Sequence, residues 1–424
     1  MNENDRSITG FVMAGHWLVH TYEMSIPILM TIWLLEFSVT AAVLGAVVTV
    51  GYGLFGVGAL PGGLLVDRYG SRTLIVGCLV GMGSSFLLVG LSPSVVGVAL
   101  ALGVWGIAAS VYHPAGLALI SNGVQNDVRG TAFAYHGMAG NVGIAAGPLA
   151  TALLLLAFDW RLVVAILAIP AFVTAVVGLT ITFDESAAVD ATTNTDSDIR
   201  SFSTFLAGTR RVFVVGFALV FVVVMFNGLY YRGVLTFLPE MLDDFLTPFV
   251  GDLESGVLRP DGPLGDEFDL AQYVYVGLLT VGIGGQYVGG KLTDRIEPER
   301  GLVGMLSVLT LIALSFVPAA EAGLIALLAA TVALGFALFA MQPLTQATIA
   351  KYSPPDARGL SFGYTYLGIF GIGALGATVV GVVLTYGSTF AVFAVLAGFA
   401  ATGGTTAVVL AKKYGDGRRE RSAE

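Results

Sequence analysis

G-G-L-L-V-D-R, residues 62–68, returns 227 residues later as G-G-K-L-T-D-R, residues 289–295. Each copy closes a glycine-rich apolar run with an acid followed by a base, so each reads as a helix leaving a non-polar medium for water. Two more blocks repeat at a spacing of 229: H-P-A-G-L-A-L-I at 113–120 with Q-P-L-T-Q-A-T-I at 342–349, and R-G-T-A-F-A-Y at 129–135 with R-G-L-S-F-G-Y at 358–364. A near-constant offset across three blocks marks a duplicated chain.

The medium is identified by composition. Of 424 residues, 56% are hydrophobic and 12% charged, with 56 glycines, which is too few polar groups to cover a water-soluble particle of normal polarity. A helix needs about 20 apolar residues to cross a bilayer core. Twelve runs meet that length: 8–35, 40–66, 73–91, 94–121, 130–157, 160–183, 211–238, 270–292, 301–318, 321–350, 359–385 and 387–412. The runs are continuous rather than alternating, and a helix satisfies its own backbone in lipid, so helices are expected and a β-barrel is not. The predicted fold is an all-α integral membrane protein with twelve transmembrane helices in two pseudo-symmetric six-helix bundles, 1–183 and 211–424. Residues 184–210 between them begin D-E-S-A-A-V-D-A-T-T-N-T-D-S-D-I-R, which cannot bury a core and reads as a cytoplasmic linker. Phe202, Phe205 and Leu206 beside Arg210 and Arg211 suggest that the linker ends in a short helix on the inner membrane surface. The start, M-N-E-N-D-R-S, lacks the basic region of a cleavable signal peptide, and the single cysteine, Cys78, excludes an intramolecular disulfide.

With both termini in the cytoplasm, 17 of the 20 lysines and arginines lie inside; only Arg161 and Arg259 lie outside and Arg232 lies within a span, so the positive-inside asymmetry sets this orientation. An outer loop at about 239–269 carries nine acids and one base and reads as a solvated face. The four lysines and the acid excess suggest adaptation to high salt, where surface charges are screened. There is no HExxH, Walker loop or nucleophile elbow, so neither an enzyme nor a cofactor is expected. Six helices duplicated to twelve is the plan of a carrier whose halves rock about a midplane site.

The loop G-G-L-L-V-D-R-Y-G-S-R at 62–72 resembles the G-x-x-x-D-R-x-G-R-[KR] loop of the major facilitator superfamily, with Asp67, Arg68, Gly70 and Arg72 matching and Ser71 standing where a base is usual. The resemblance implies the alternating-access fold, with the Asp67/Arg68 loop latching the cytoplasmic side and Asp294 and Arg295 as its second copy. The H-P of span 4 together with G-M-A-G-N-V-G-I-A-A-G-P-L at 137–149 resembles the fosmidomycin-resistance branch, whose members are drug exporters and relatives of unknown substrate. Gly143, Gly147 and Pro148 resemble the helix 5 motif of proton-coupled antiporters, whereas Val19-His20 stands where that branch would carry Asn-Asp.

Ionisable groups inside the spans supply the functional candidates, because each costs several kcal/mol in lipid unless protein or water meets it. All four histidines, His16, His20, His113 and His136, fall in the first half. His16, His20 and Glu23, at i, i+4 and i+7, share one stripe of span 1, with Glu23 the expected coupling carboxylate and His20 its partner. The same spacing suits a transition metal, but the second half offers no histidine or cysteine to complete the shell, so no resident metal is expected. His136 shares a face with Gly140, Gly143 and Gly147, a spacing that lets another helix approach closely. In the second half Arg232 suits a carboxylate or phosphonate, with snorkelling to the outer interface as the alternative, and Asn227 and Tyr231 suit a polar cavity wall. Gln342 and Gln346 form an uncharged stripe at the position that His113 holds in the repeat. Pro114 cannot donate to the carbonyl of Ser110, so a bend is expected there, and Pro343 predicts the same bend in the second half. The sequence therefore favours a monomeric, multi-pass plasma-membrane carrier, proton-coupled and exporting a small organic compound. Its partners are that compound, protons and the bilayer, with no nucleic acid. Uptake symport and passive facilitation or lipid translocation are the alternatives.

Overall fold

The computed structural model describes residues 1–189, 202–253, 269–354 and 358–414. In chain order the helices are α1 (Glu3–Glu36), α2 (Ala41–Tyr69), α3 (Ser71–Leu91), α4 (Val95–Ser110), α5 (Tyr112–Gly123), α6 (Arg129–Leu155), α7 (Trp160–Thr180), α8 (Phe202–Val212), α9 (Val215–Leu253), α10 (Leu270–Thr293), α11 (Pro298–Ala322), α12 (Leu324–Tyr352), α13 (Arg358–Tyr366), a π-helix (Leu367–Ile372), α14 (Leu375–Tyr386) and α15 (Thr389–Tyr414). Among the described residues eleven helical stretches are long and apolar enough to cross a membrane, with α4–α5 counting as one and α13–α14 as another. At the eighth expected span α10 is long enough, but Gln272, Gln286 and its glycines dilute its apolarity. The protein is an all-helical, multi-pass membrane protein.

Residues Met1–Phe37 and Val50–Ala207 form one compact unit; Ser38–Thr49 and Gly208–Glu424 form the other. The sequence division kept 38–49 with the first half. Instead, the first turns of α2 pack with α14: the Ala42 amide donates to Thr385 Oγ1 (2.8 Å), and Thr49 Oγ1 donates to the Ala374 carbonyl (2.9 Å).

In hydrocarbon, apolar burial does not drive helices together, so close contact over small residues does. The repeated blocks are those contacts. A Cβ on Gly62 would strike Pro114, 3.2 Å from its Cβ, and one on Gly289 would lie 2.9 Å from Pro343 Cγ. One on Gly147 would lie 2.6 Å from Thr21 Cα of α1, and one on Gly376, its counterpart 229 residues on, 2.9 Å from the carbonyl carbon of Leu229 in α9. The two units thus share a packing scheme.

The prolines behave differently. Helix α4 ends at Ser110 and α5 begins at Tyr112, so Pro114 opens the helix where its missing N–H predicts. Pro343, by contrast, lies inside α12, which runs unbroken from Leu324 to Tyr352. The extra deformation of the second unit falls in the π-helix, closed by the Gly373 amide donating to the Gly368 carbonyl (2.9 Å) where Gly228 of α9 approaches Ile369. Helix α9 runs on to Leu253, so Glu240, Asp243 and Asp244 of the expected outer loop are helical, Asp269 caps α10 through the Ala271 amide (2.9 Å), and 254–268 lie outside the described residues.

At the other end of the first unit, helix ends are tied together. Asn2 and Asp5 close a capping box on α1. Asn4 Nδ2 donates to the carbonyls of Gly123 (2.9 Å) and Asp184 (3.2 Å), its Oδ1 accepts from the Asp184 amide (2.7 Å), and Asp5 accepts from the Gln125 amide (3.1 Å). The expected linker is therefore anchored at its start, while 190–201 lie outside the described residues. Helix α8 stands at the linker's end, with Leu206 and Arg210 exposed.

The glycine pair at 289–290 gives an internal control, since a Cβ on Gly290 meets nothing within 4 Å. Gly289→Val is expected to cost about 1–3 kcal/mol by overpacking against α12. Gly290→Val is expected to be near neutral, and the thermal midpoint of the purified protein in detergent separates the two.

Candidate functional site

The site is built on α1 because Gly140, Gly143 and Gly147 bring α6 onto it. A Cβ on Gly140 would fall 2.5 Å from His16 Cε1 and 2.7 Å from its Nδ1, so the missing side chain is the space the imidazole fills. There His16 Nδ1 lies 2.7 Å from the backbone carbonyl of His136. The two rings stack at 3.9 Å between centroids and 8° between planes.

From His16 a polar chain runs along α1. His16 Nε2 lies 3.1 Å from His20 Nε2, and His20 Nδ1 lies 2.6 Å from Glu23 Oε2. Glu23 is 1% exposed, and His16, His113 and His136 are also buried; His20 is the part-exposed member. Helix α5 delivers His113, whose ring centroid is 5.1 Å from that of His16 and 5.7 Å from that of His20. All four histidines of the chain therefore meet in one cluster. His136 Nε2, buried, makes no hydrogen bond. Among the described residues, the group of three whose donor atoms could close on a metal ion is His16, His20 and His113, within 4.8 Å of one another. A cation there would displace the hydrogen bond that already joins two of them.

Two tyrosines that sequence reasoning missed complete the surround. Tyr112 donates its hydroxyl to the Val12 carbonyl and stacks 5.6 Å from His16, and Tyr52 donates to the Glu23 carbonyl (3.2 Å). Each is an ordinary buried aromatic in sequence, and only its contacts distinguish it.

The second unit holds the remaining candidates. Arg232 is 2% exposed and lies mid-helix, because α9 continues far past the expected end; its side chain is covered by protein. Its guanidinium carbon stands 5.5 Å from the Tyr231 ring and 5.3 Å from the Phe370 ring of the π-helix. Tyr231 meets Phe339 of α12 at 6.1 Å, and Asn227 is buried with Oδ1 lacking a hydrogen-bond partner. Gln342 accepts from Gln286 (3.2 Å), and Gln346 is exposed.

Only Gly70 interrupts helix within 62–72, so the expected loop is the end of α2 and the start of α3; Asp67 and Arg68, in the last turn of α2, are exposed, as are Asp294 and Arg295 in the second copy. The joint is made by their neighbours. Gly70 takes φ 78°, a left-handed conformation that glycine permits, and its missing side chain leaves the N-terminus of α3 uncapped. Glu185 supplies the cap, accepting from the amides of Ser71 (2.9 Å) and Arg72 (3.2 Å), while Arg72 donates to the Ile181 carbonyl (2.7 Å). Nearby Asp184 is held below the usual carboxylate range by the amide and hydroxyl of Ser186. The second unit instead uses Lys351, bonded to Glu297 (2.5 Å) and to fully buried Glu299 (2.7 Å).

The sequence matches the Major Facilitator Superfamily over residues 12–320 and 260–424. The chain belongs to that family of membrane transporters. A puromycin resistance protein of Streptomyces alboniger is 36% identical over 108 residues, 25% of this chain and 22% of that protein. A Na+, Li+, K+/H+ antiporter of Planococcus maritimus is 30% identical over 138 residues, 31% of each. The chain thus spans less than a third of the length of either curated relative. Among solved structures, a bacterial homologue of the human lysosomal transporter Spinster superposes with a TM-score of 0.73 at 16% identity, covering 98% of both chains. The nucleoside transporter NupG superposes at 0.72 and 12%, covering 97% of this chain and all of that one. These likenesses carry the fold.

Glu185→Ala leaves the α3 amides uncapped and is expected to lower stability by about 1 kcal/mol, the usual value of a helix N-cap. Unfolding midpoints should fall for Glu185→Ala and less for Glu185→Gln, which keeps one acceptor.

Proposed function

We propose that this chain is a proton-coupled secondary transporter that exports a small organic compound by alternating access, as a monomer with both termini on the cytoplasmic side of the cell membrane. The observation that carries coupling is the hydrogen bond of 2.6 Å between His20 and buried Glu23 on α1. A carboxylate taken from water is tolerated in lipid only when paired or protonated, so the site changes its proton content when its hydration changes. His113 and His136 lie beside it. Arg232, Asn227, Tyr231, Gln342 and Gln346 supply polar and aromatic contacts for the compound, Arg232 favouring one with an anionic group. The export direction is supported by the likeness of 137–149 to the fosmidomycin-resistance branch and by the partial likeness to a puromycin resistance protein. Asp67, Arg68, Asp294 and Arg295 serve opening and closing of the cytoplasmic side.

An expressing strain screened for resistance against a compound library, puromycin and fosmidomycin included, identifies a transported compound. In proteoliposomes an imposed proton gradient is then expected to drive its accumulation, and Glu23→Gln to cut the initial rate at least tenfold. Equilibration that ignores both the gradient and that substitution would establish passive facilitation instead.

A further inference from the structure

We infer that His16, His20 and Glu23 form a wire for one proton, with its direction set from α6 by the backbone carbonyl of His136. The inference rests on the coupling role proposed for Glu23 and His20 and adds two things to it: the number of protons, and a positioning role for His16.

The accounting starts at the end that cannot change. A backbone carbonyl only accepts, so His16 Nδ1, 2.7 Å from that of His136, carries a hydrogen. Neutral His16 is then bare at Nε2. His20 Nε2, 3.1 Å away, must therefore carry the hydrogen that joins the two rings. This leaves one hydrogen for the contact of 2.6 Å between His20 Nδ1 and Glu23 Oε2, residing either on the carboxyl with a neutral imidazole or on Nδ1 as an imidazolium–carboxylate pair. In either form the three side chains share one exchangeable proton.

Transfer along the wire balances without rotating a ring. The Glu23 proton moves to His20 Nδ1 while the hydrogen on His20 Nε2 moves to His16 Nε2. The products are a carboxylate, a neutral His20 protonated at Nδ1 and an imidazolium His16. If the proton leaves the cluster, two lone pairs must face each other. They meet either between Glu23 and His20 or between His20 and His16, so one of the two hydrogen bonds breaks. Both bonds join side chains of α1, so the break is felt along that helix, while His16 stays held against α6 by the carbonyl, the ring stack and the space over Gly140. The other titratable groups facing the wire are His113 and Tyr112 from α5, His136 from α6 and Tyr52 from α2.

With four histidines in the chain, ring-nitrogen NMR is assignable by four single substitutions. The full-length protein, labelled with 15N-histidine in lipid nanodiscs, is expected to show His16 protonated at Nδ1 and bare at Nε2, and His20 protonated at Nε2. His16→Phe keeps a ring to stack on His136 but removes the acceptor, and is expected to shift the His20 Nε2 signal. Glu23→Gln is expected to move His20 while leaving the His16 pattern in place. A His16 bare at Nδ1, or a His20 signal indifferent to His16→Phe, would each overturn the wire. The first is read on the unsubstituted protein, and if His16→Phe does not fold, His16 is assigned by elimination from the other three substitutions. If the ring pattern holds and Glu23→Gln still accumulates compound, the coupling proposal fails and the wire stands. If Glu23→Gln abolishes accumulation and the ring pattern is absent, only the wire fails.

Discussion

Helices in hydrocarbon have little reason to adhere beyond the contacts they make, and here that contact is backbone against backbone. Where α6 lies on α1, three glycines remove the side chains that would hold the helices apart. The chemistry of the site follows from this closeness. A His136 carbonyl reaches His16 because the ring can lie over Gly140, and a serviceable imidazole nitrogen is thereby presented to His20. One alanine in place of Gly140 would set a methyl where the ring now sits. The polar chain is in this sense a product of packing rather than an addition to it.

The duplication kept the packing and let the chemistry diverge. Gly62 with Pro114 and Gly289 with Pro343 are the same contact made twice, as are Gly147 with Thr21 and Gly376 with Leu229. The ionisable cluster exists in the first unit, while the second holds one buried guanidinium between aromatic rings and an amide pair. The deformations diverged too. The first unit breaks a helix at Val111, beside its histidines, whereas the second widens one into a π turn beside Arg232. Irregular backbone within a span persists where protein meets the freed groups, and in both units it lies next to the charge-bearing residues.

The parts legible in sequence are those governed by local rules. Span positions followed from apolar length, because nothing in lipid competes with the helix for its backbone. The His16–His20–Glu23 stripe followed from helical periodicity alone. The arrival of His113 and His136 at that stripe was not readable, since it depends on how α5 and α6 are set against α1. Helix α9 outran its expected end because acids that mark a loop in water are also acceptable on an exposed helix face. The different outcomes at the two prolines were not readable either: α4 and α5 part near Pro114, whereas α12 stays continuous through Pro343, against which Gly289 packs. Glu185 could not be assigned at all, as its partners lie more than a hundred residues away and are backbone amides.

The knot of hydrogen bonds at one end of the first unit bears on its mechanics. Asn4 and Asp5 on α1 hold the ends of α5 and α7, while Glu185 and Arg72 join the end of α7 to the start of α3. Four helices fastened at one end behave as a lever with a welded butt: sliding between them is stiff there and easier towards the opposite end. Sliding at that end would break the hydrogen bonds made to Gly123, Asp184, Ile181 and Ser71, which hold the four helix ends in register.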